Sequence, residues 1–136
     1  MKSRFFSLVV AACAAVSAMF CDCAYGEQEI SPEKIAMLRQ QADRGDAEAQ
    51  YLLAVCYSMG AGVPQDSVAA AAWCLKAAQQ GHAGAQFNLA RCYELGNGVS
   101  KNIPEAIRWY RATVANKSAG NAANLAAERL RALGVR

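Results

Sequence analysis

The sequence predicts an all-α protein, a short right-handed α-solenoid (an alpha-alpha superhelix) built from pairs of antiparallel helices. Three observations predict this fold class. A segment of 36 residues occurs twice in succession, over 47–82 and 83–118, and the copies align without a gap and with twelve identical positions. Each copy carries two apolar stripes at helical spacing, and a pair of glycines separates the two stripes. No stretch has the alternating pattern of a strand.

Composition limits the size and class of the protein. The chain has 136 residues, of which 54% are hydrophobic and 18% charged, and its formal net charge is +3. This length holds one domain or a short array of repeats, which excludes a multidomain enzyme. The charges are spread without a cluster, so nothing in the composition favours a nucleic-acid partner.

Residues 1–26 have the pattern of an export signal. Two basic residues precede the apolar run 5–20, and small residues follow that run. We expect cleavage after Gly26, with Ala18 and Ala24 as alternatives, and an exported protein, periplasmic or secreted, with no membrane insertion once the signal is removed. Two interpretations stay open beside this one. The run could be an uncleaved anchor, although it is shorter than the ~20 residues of a bilayer span, or Cys13 could be lipidated.

The next segment, 31–46, predicts a single helix. Ser31 is a typical N-cap and Pro32 suits the first turn. The end of the segment, 42–46, aligns with 78–82, the end of the first full repeat. We therefore expect the second helix of a repeat whose first helix is missing.

The two full repeats, 47–82 and 83–118, each predict two helices. The stripe of the first helix occupies positions i, i+3, i+4 and i+7. It consists of Gln50, Leu53, Ala54 and Tyr57 in the first repeat, and of Gln86, Leu89, Ala90 and Tyr93 in the second. In the second helix, Ala70 and Trp73 recur as Ala106 and Trp109.

Glycines and caps define the ends of these helices. Gly60 and Gly96 are expected to end the first helices in the left-handed conformation, and the glycine two residues later lets the chain reverse. Asp66 and Asn102 are placed to cap the second helices, and Asn102 with Glu105 forms a capping-box pattern.

The segment 119–133 predicts a C-terminal capping helix, the sixth helix of the chain. Leu125 and Ala126 keep the register of the first-helix stripe, but Glu128 and Arg129 replace its cysteine and tyrosine. A polar outer face of this kind is what the end of a solenoid requires.

The repeated pattern, A-x-A-Q-x-x-L-A-x-C-Y-x-x-G-x-G-V followed by D-x-x-x-A-x-x-W, resembles the Sel-1-like repeat family of the tetratricopeptide superfamily. The resemblance covers residues 30–133. It implies an α-solenoid that binds proteins or peptides, in bacteria often in the cell envelope. Cys74 departs from the pattern, because the family usually has tyrosine there, as at Tyr110 in the second repeat. Lys117 replaces Gly81, which predicts a looser or differently angled final junction.

The resemblance also implies a concave groove along the first helices. Apolar and aromatic side chains there would anchor a peptide, and an arginine would hold a carboxylate. The candidate groove residues are Glu48, Tyr51, Val55, Met59, Phe87, Arg91 and Leu95. The alternative for Tyr51 and Phe87 is packing against neighbouring helices.

The sequence contains no motif that predicts catalysis, a cofactor or a metal site, so we expect no catalytic, cofactor-binding or metal-ligating residues. We expect the single histidine, His82, to lie in solvent at the start of a helix. The preferred function is thus a non-enzymatic interaction module or adaptor of the bacterial cell envelope. The alternative is a small envelope hydrolase acting on cell-wall material, in which His82 would work with Ser58, Glu94 or a cysteine. Self-association, or pairing with another repeat protein through exposed repeat ends, is a third interpretation.

Three cysteines follow the predicted signal, at Cys56, Cys74 and Cys92. Equivalent backbones in stacked helices lie roughly 10 Å apart, beyond the ~7 Å that a disulfide spans, so Cys56 and Cys92 are not expected to pair. A bridge from Cys74 to one of them, or three free buried thiols, are the open alternatives.

Overall fold

The computed structural model describes residues 30–135, and the predicted export signal lies outside this range. The described part contains six helices and no strand, which confirms the all-α class. In chain order they are α1 (Pro32–Asp43), α2 (Ala47–Met59), α3 (Ser67–Gln79), α4 (Ala83–Leu95), α5 (Ile103–Ala115) and α6 (Asn121–Ala132). Each helix packs on the next one along the chain, and α4 also touches α6. The helices α2 and α3 form the first repeat, and α4 and α5 the second.

The turns inside the two repeats have the same geometry. Gly60 ends α2 with φ 69°, and Gly96 ends α4 with φ 69°, both in the left-handed region. In each turn the residue after this glycine donates its N–H to a cysteine carbonyl five positions back, at 2.9 Å and 3.0 Å. The predicted left-handed helix ends are therefore confirmed.

Side-chain caps begin the helices where the sequence predicts them. Ser31 accepts the N–H of Lys34 at 3.3 Å at the start of α1. Asp66 Oδ1 accepts two N–H groups at the start of α3, at 3.0 and 3.1 Å. Asn102 Oδ1 accepts the N–H of Glu105 at 3.2 Å, which forms one half of the predicted capping box. The Glu105 carboxylate contacts an arginine one turn further along α5.

The second glycine of each turn lies against the preceding repeat. A Cβ atom at Gly98 would be 2.0 Å from the carbonyl oxygen of Ser67, at the start of α3. A Cβ atom at Gly62 would be 2.8 Å from the carbonyl oxygen of Ile30, just before α1. These glycines therefore allow close contact between successive repeats, in addition to the chain reversal that the sequence predicts.

Buried amides connect the repeats at the opposite end of the helices. Gln50 donates to the carbonyl of Ala42 in α1 at 3.0 Å, and its own oxygen accepts from Gln80 at 2.8 Å. One repeat later, Gln86 donates to the carbonyl of Ala78 at 3.3 Å and accepts from Asn116 at 3.2 Å. Because buried polar groups need partners, these bonds fix each first helix on the second helix before it. Asn116 also donates to the carbonyl of Gly81.

The core lies at the contacts between helices. Leu53 and Leu89, at the same repeat position, are 0% and 1% exposed, and each belongs to a cluster that includes the tryptophan of the following helix. Leu125, at this position in α6, is 48% exposed. Among the described residues no helix follows α6, so no tryptophan of a following helix packs against this leucine.

Candidate binding cleft

A cleft of about 400 Å³ lies between the first helices of the two repeats, α2 and α4. Its floor is formed by α3, through Ser67, Ala70 and Cys74. Five of the seven predicted groove residues line it, and they are Tyr51, Val55, Met59, Arg91 and Leu95.

The rim of the cleft is apolar and open to solvent. Met59 and Leu95 occupy the same position in successive repeats and are 71% and 63% exposed. Each is the last helical residue before the turn glycine. Two large exposed apolar side chains beside a concave surface are typical of a binding site.

The other two predicted groove residues lie outside the cleft lining. Phe87 packs toward the protein core, with its ring centroid 5.7 Å from that of Tyr110 in α5. The carboxylate of Glu48 is 2.8 Å from Nε2 of His82. The sequence could not separate these positions, because all of them recur on the outer side of the first-helix stripe.

His82 is packed between two helices. Its Nδ1 accepts the N–H of Ala85 at 3.1 Å and so caps α4, as an aspartate does at the start of α2. With Nδ1 accepting, Nε2 carries the hydrogen and donates to Glu48. The ring stacks on Tyr51 at 4.5 Å between centroids. A Cβ atom at Gly84 would be 3.1 Å from the Tyr51 ring, which explains the small residue beside this stack.

The structure places His82 and Glu94 at opposite ends of α4. Glu94 lies twelve residues further along the same helix, and this spacing separates the two by about 18 Å. The Glu94 carboxylate contacts Tyr110 at 2.6 Å and also Arg129, and Ser58 donates to the carbonyl of its own helix.

The three cysteines in the described part of the chain are free thiols. Cys74 and Cys92 line the cleft, and Cys56 is buried elsewhere. Burial raises the pKa of Cys74 to about 12 and also raises the pKa of Cys56 and of Cys92. Since the thiolate is the nucleophilic form, these thiols are poor nucleophiles at neutral pH.

Arg91 provides the charge of the cleft. Among the described residues no carboxylate lines the cleft, and Arg91 takes part in no ion pair. The nearby Glu94 is hydrogen-bonded by Arg129 and Tyr110, and these bonds, together with the charges of Arg129 and Arg91, keep its pKa below the ordinary value. The cleft therefore presents one guanidinium that a ligand carboxylate would neutralise.

One side chain that differs between the repeats lies at the floor of the cleft. Tyr110 fills the corresponding space between α4 and α6, where it is fully buried. At the same position the first repeat has Cys74, whose side chain ends where the aromatic ring would begin. The sequence shows this departure from the pattern, but it does not show that the space is left open.

Within residues 30–135 no group of three or more His, Cys, Asp or Glu side chains is placed to hold a metal ion. None of the described helices is long and apolar enough to cross a membrane.

The fold is a helical solenoid with an open cleft between its repeats. The Sel1 repeat family model matches residues 47–82 and 83–115, and the chain belongs to the Sel1 repeat family. Sel1 repeat proteins are typically protein-interaction modules built on a scaffold that is generally non-catalytic. Comparison with curated proteins gives no match.

Three solved structures are similar to this chain. A Sel1 repeat protein from Oxalobacter formigenes is 35% identical, with a TM-score of 0.69 over 75% of this chain and 28% of that one. A protective antigen of uropathogenic Escherichia coli that displays an SLR fold is 28% identical, with a TM-score of 0.65 over 85% of this chain and 24% of that one. Helicobacter pylori cysteine rich protein B shares the fold at 20% identity, with a TM-score of 0.63 over 68% of this chain and 69% of that one. This chain spans about a quarter of the length of the first two proteins.

Proposed function

We propose that this protein is an exported interaction module or adaptor of the bacterial cell envelope, which binds a peptide segment of a partner protein in the cleft between α2 and α4. The observation that carries the proposal is the cleft itself, whose apolar rim and unpaired Arg91 lie in contact with solvent. Family membership supports a binding role in general. The activity needs no catalytic group, cofactor or metal ion.

Export rests on the pattern of residues 1–26. Expression of the full chain in a bacterium, followed by mass measurement of the protein from periplasm and medium, tests this part. We expect a mass that corresponds to loss of 1–26, and an uncleaved chain in the cytoplasm would contradict export.

The binding role is tested by selection from a displayed library of random peptides. The protein obtained from the full chain is compared with a cleft variant, Met59→Ser/Arg91→Ala/Leu95→Ser. All three substituted side chains are exposed, so the variant keeps the core of the wild type. We expect peptides that bind the wild type and lose at least tenfold in affinity for this variant.

A matched control carries exposed substitutions outside the cleft, Met37→Ser and Val114→Ser, at side chains that are 59% and 43% exposed. The control is expected to bind the selected peptides like the wild type. Failure to select any peptide, or equal binding by the cleft variant, would contradict the proposed role.

A further inference from the structure

The second repeat shows what kind of group fits the cleft of the first. The ring of Tyr110 is enclosed by a cluster that includes Phe87, Ala90 and Ala106. The equivalent residues one repeat earlier all line the cleft, and they are Tyr51, Ala54 and Ala70. At these positions the cleft is thus lined by the counterparts of the residues that enclose the Tyr110 ring. An aromatic ring from outside would meet the same kind of surface.

The polar groups around Tyr110 differ from those of the cleft, because only the surroundings of Tyr110 include a carboxylate. In the second repeat the hydroxyl of Tyr110 donates to Glu94, which in turn pairs with Arg129. In the first repeat Ser58 replaces this glutamate, so no carboxylate is present. Arg91 remains at the cleft without an ionic partner among the described residues. The occupant that complements the cleft therefore brings its own negative charge.

We propose that the cleft binds a partner segment that inserts a tyrosine or phenylalanine side chain over Cys74 and places a nearby carboxylate on Arg91. The ring would pack against Tyr51, in the way that Tyr110 packs near Phe87. The carboxylate would come from an acidic residue one or two positions away. This proposal rests on the proposed binding function and adds the chemistry of the ligand.

Fluorescence polarisation with labelled peptides tests the proposal. The probes are Gly/Ser peptides with one tyrosine and one glutamate, the glutamate one or two positions before or after the tyrosine. Matched probes have alanine for the tyrosine or glutamine for the glutamate. We expect at least one parent probe to bind, with a loss of at least tenfold for the alanine probe and of three- to tenfold for the glutamine probe.

Two variants at one position give the sharpest test on the protein side. Cys74→Tyr supplies the ring that the second repeat already has, so it is expected to fill the cleft and reduce binding at least tenfold. Cys74→Ala keeps the cleft open and is expected to bind the probe like the wild type. Circular dichroism establishes whether each variant folds. Should Cys74→Tyr not fold, Arg91→Glu at its exposed position is expected to abolish the preference for the glutamate probe.

The proposal is overturned if no parent probe binds at 1 mM, if the alanine probes bind equally well, or if folded Cys74→Tyr binds like the wild type. These outcomes differ from failure of the proposed function. Library peptides that require the cleft but lack an aromatic or acidic residue would refute this inference alone, whereas the absence of any cleft-dependent peptide would refute both.

Discussion

Gly98 and Gly81 both have left-handed backbones, with φ of +73° and +86°, but only Gly98 lies against another part of the chain. A methyl group at Gly81 would meet nothing within 4 Å, whereas one at Gly98 would overlap the start of α3. The same backbone conformation therefore carries different constraints at these two positions.

We expect Gly81→Ala to lower the free energy of unfolding by about 1–2 kcal/mol, the cost of a left-handed residue with a Cβ atom. Gly98→Ala is expected to cost at least about 2 kcal/mol more, because the contact between repeats must also open. Urea unfolding followed by circular dichroism measures both. Equal losses would show that the contact at Gly98 contributes nothing.

The thiols also differ at the scale of single residues. Cys92 is half-buried, whereas Cys56 and Cys74 are buried. Because burial raises the pKa of Cys74 to about 12, little of its thiolate exists at pH 8.

We expect iodoacetamide at pH 8 to modify Cys92 first and Cys74 at least tenfold more slowly, as measured by peptide mass spectrometry. The unfolded chain in urea is the control, and there the three rates should become similar. Fast modification of Cys74 in the folded protein would contradict the burial of this thiol.

At the scale of helices, one sequence position has different environments in α4 and α6. Leu89 is enclosed between helices, whereas Leu125 occupies the same position and remains half exposed. Leu89→Ala is therefore expected to cost about 2–5 kcal/mol of unfolding free energy, and Leu125→Ala less than about 1 kcal/mol. Chemical denaturation of the two variants measures this difference. Similar losses would mean that another part of the protein covers Leu125.

The capping helix α6 is attached through polar as well as apolar contacts. Arg129 pairs with Glu94 of α4, and Glu94 also accepts the hydroxyl of the buried Tyr110. The sequence marked Arg129 only as a polar replacement for tyrosine. That replacement allows an ion pair which holds the last helix against the second repeat.

For the whole molecule, these groups predict a stability that declines at both extremes of pH. Glu94 has a folded pKa below its ordinary 4.5, so its contribution is present above that value and disappears as the pH falls through the lowered pKa. Cys74 has a folded pKa raised from 9.0 to about 12. Its contribution to stability is therefore present below pH 9 and is lost as the pH rises toward 12.

We expect the midpoint of thermal unfolding to be highest between about pH 5 and 9. Glu94→Gln should reduce the decline of the midpoint at acid pH and leave the alkaline decline unchanged. Cys74→Ala should reduce the decline at alkaline pH and leave the acid decline unchanged. Differential scanning calorimetry at pH values below, within and above this range measures the profile. A wild-type decline that neither substitution changes would assign the pH dependence to other groups.

The sequence was sufficient to predict the six helices, their ends and their order, because these depend on local signals such as Gly60, Asp66 and the apolar stripe. It also identified five residues that line the cleft. It could not separate them from Phe87 and Glu48, since a position in the repeat does not tell whether a neighbour covers it. The roles of Gln50 and Arg129 were missed for the same reason.

By itself, the sequence predicted the solenoid and its two full repeats, with one helix before them and one after them in the part of the chain that the structure describes. The spacing of apolar residues and glycines is a local property that any chain with this pattern must satisfy. Only the tertiary structure decided that the first repeat is open where the second is filled. That outcome depends on which groups surround Cys74 and Ser58, the counterparts of Tyr110 and Glu94, after the helices have packed.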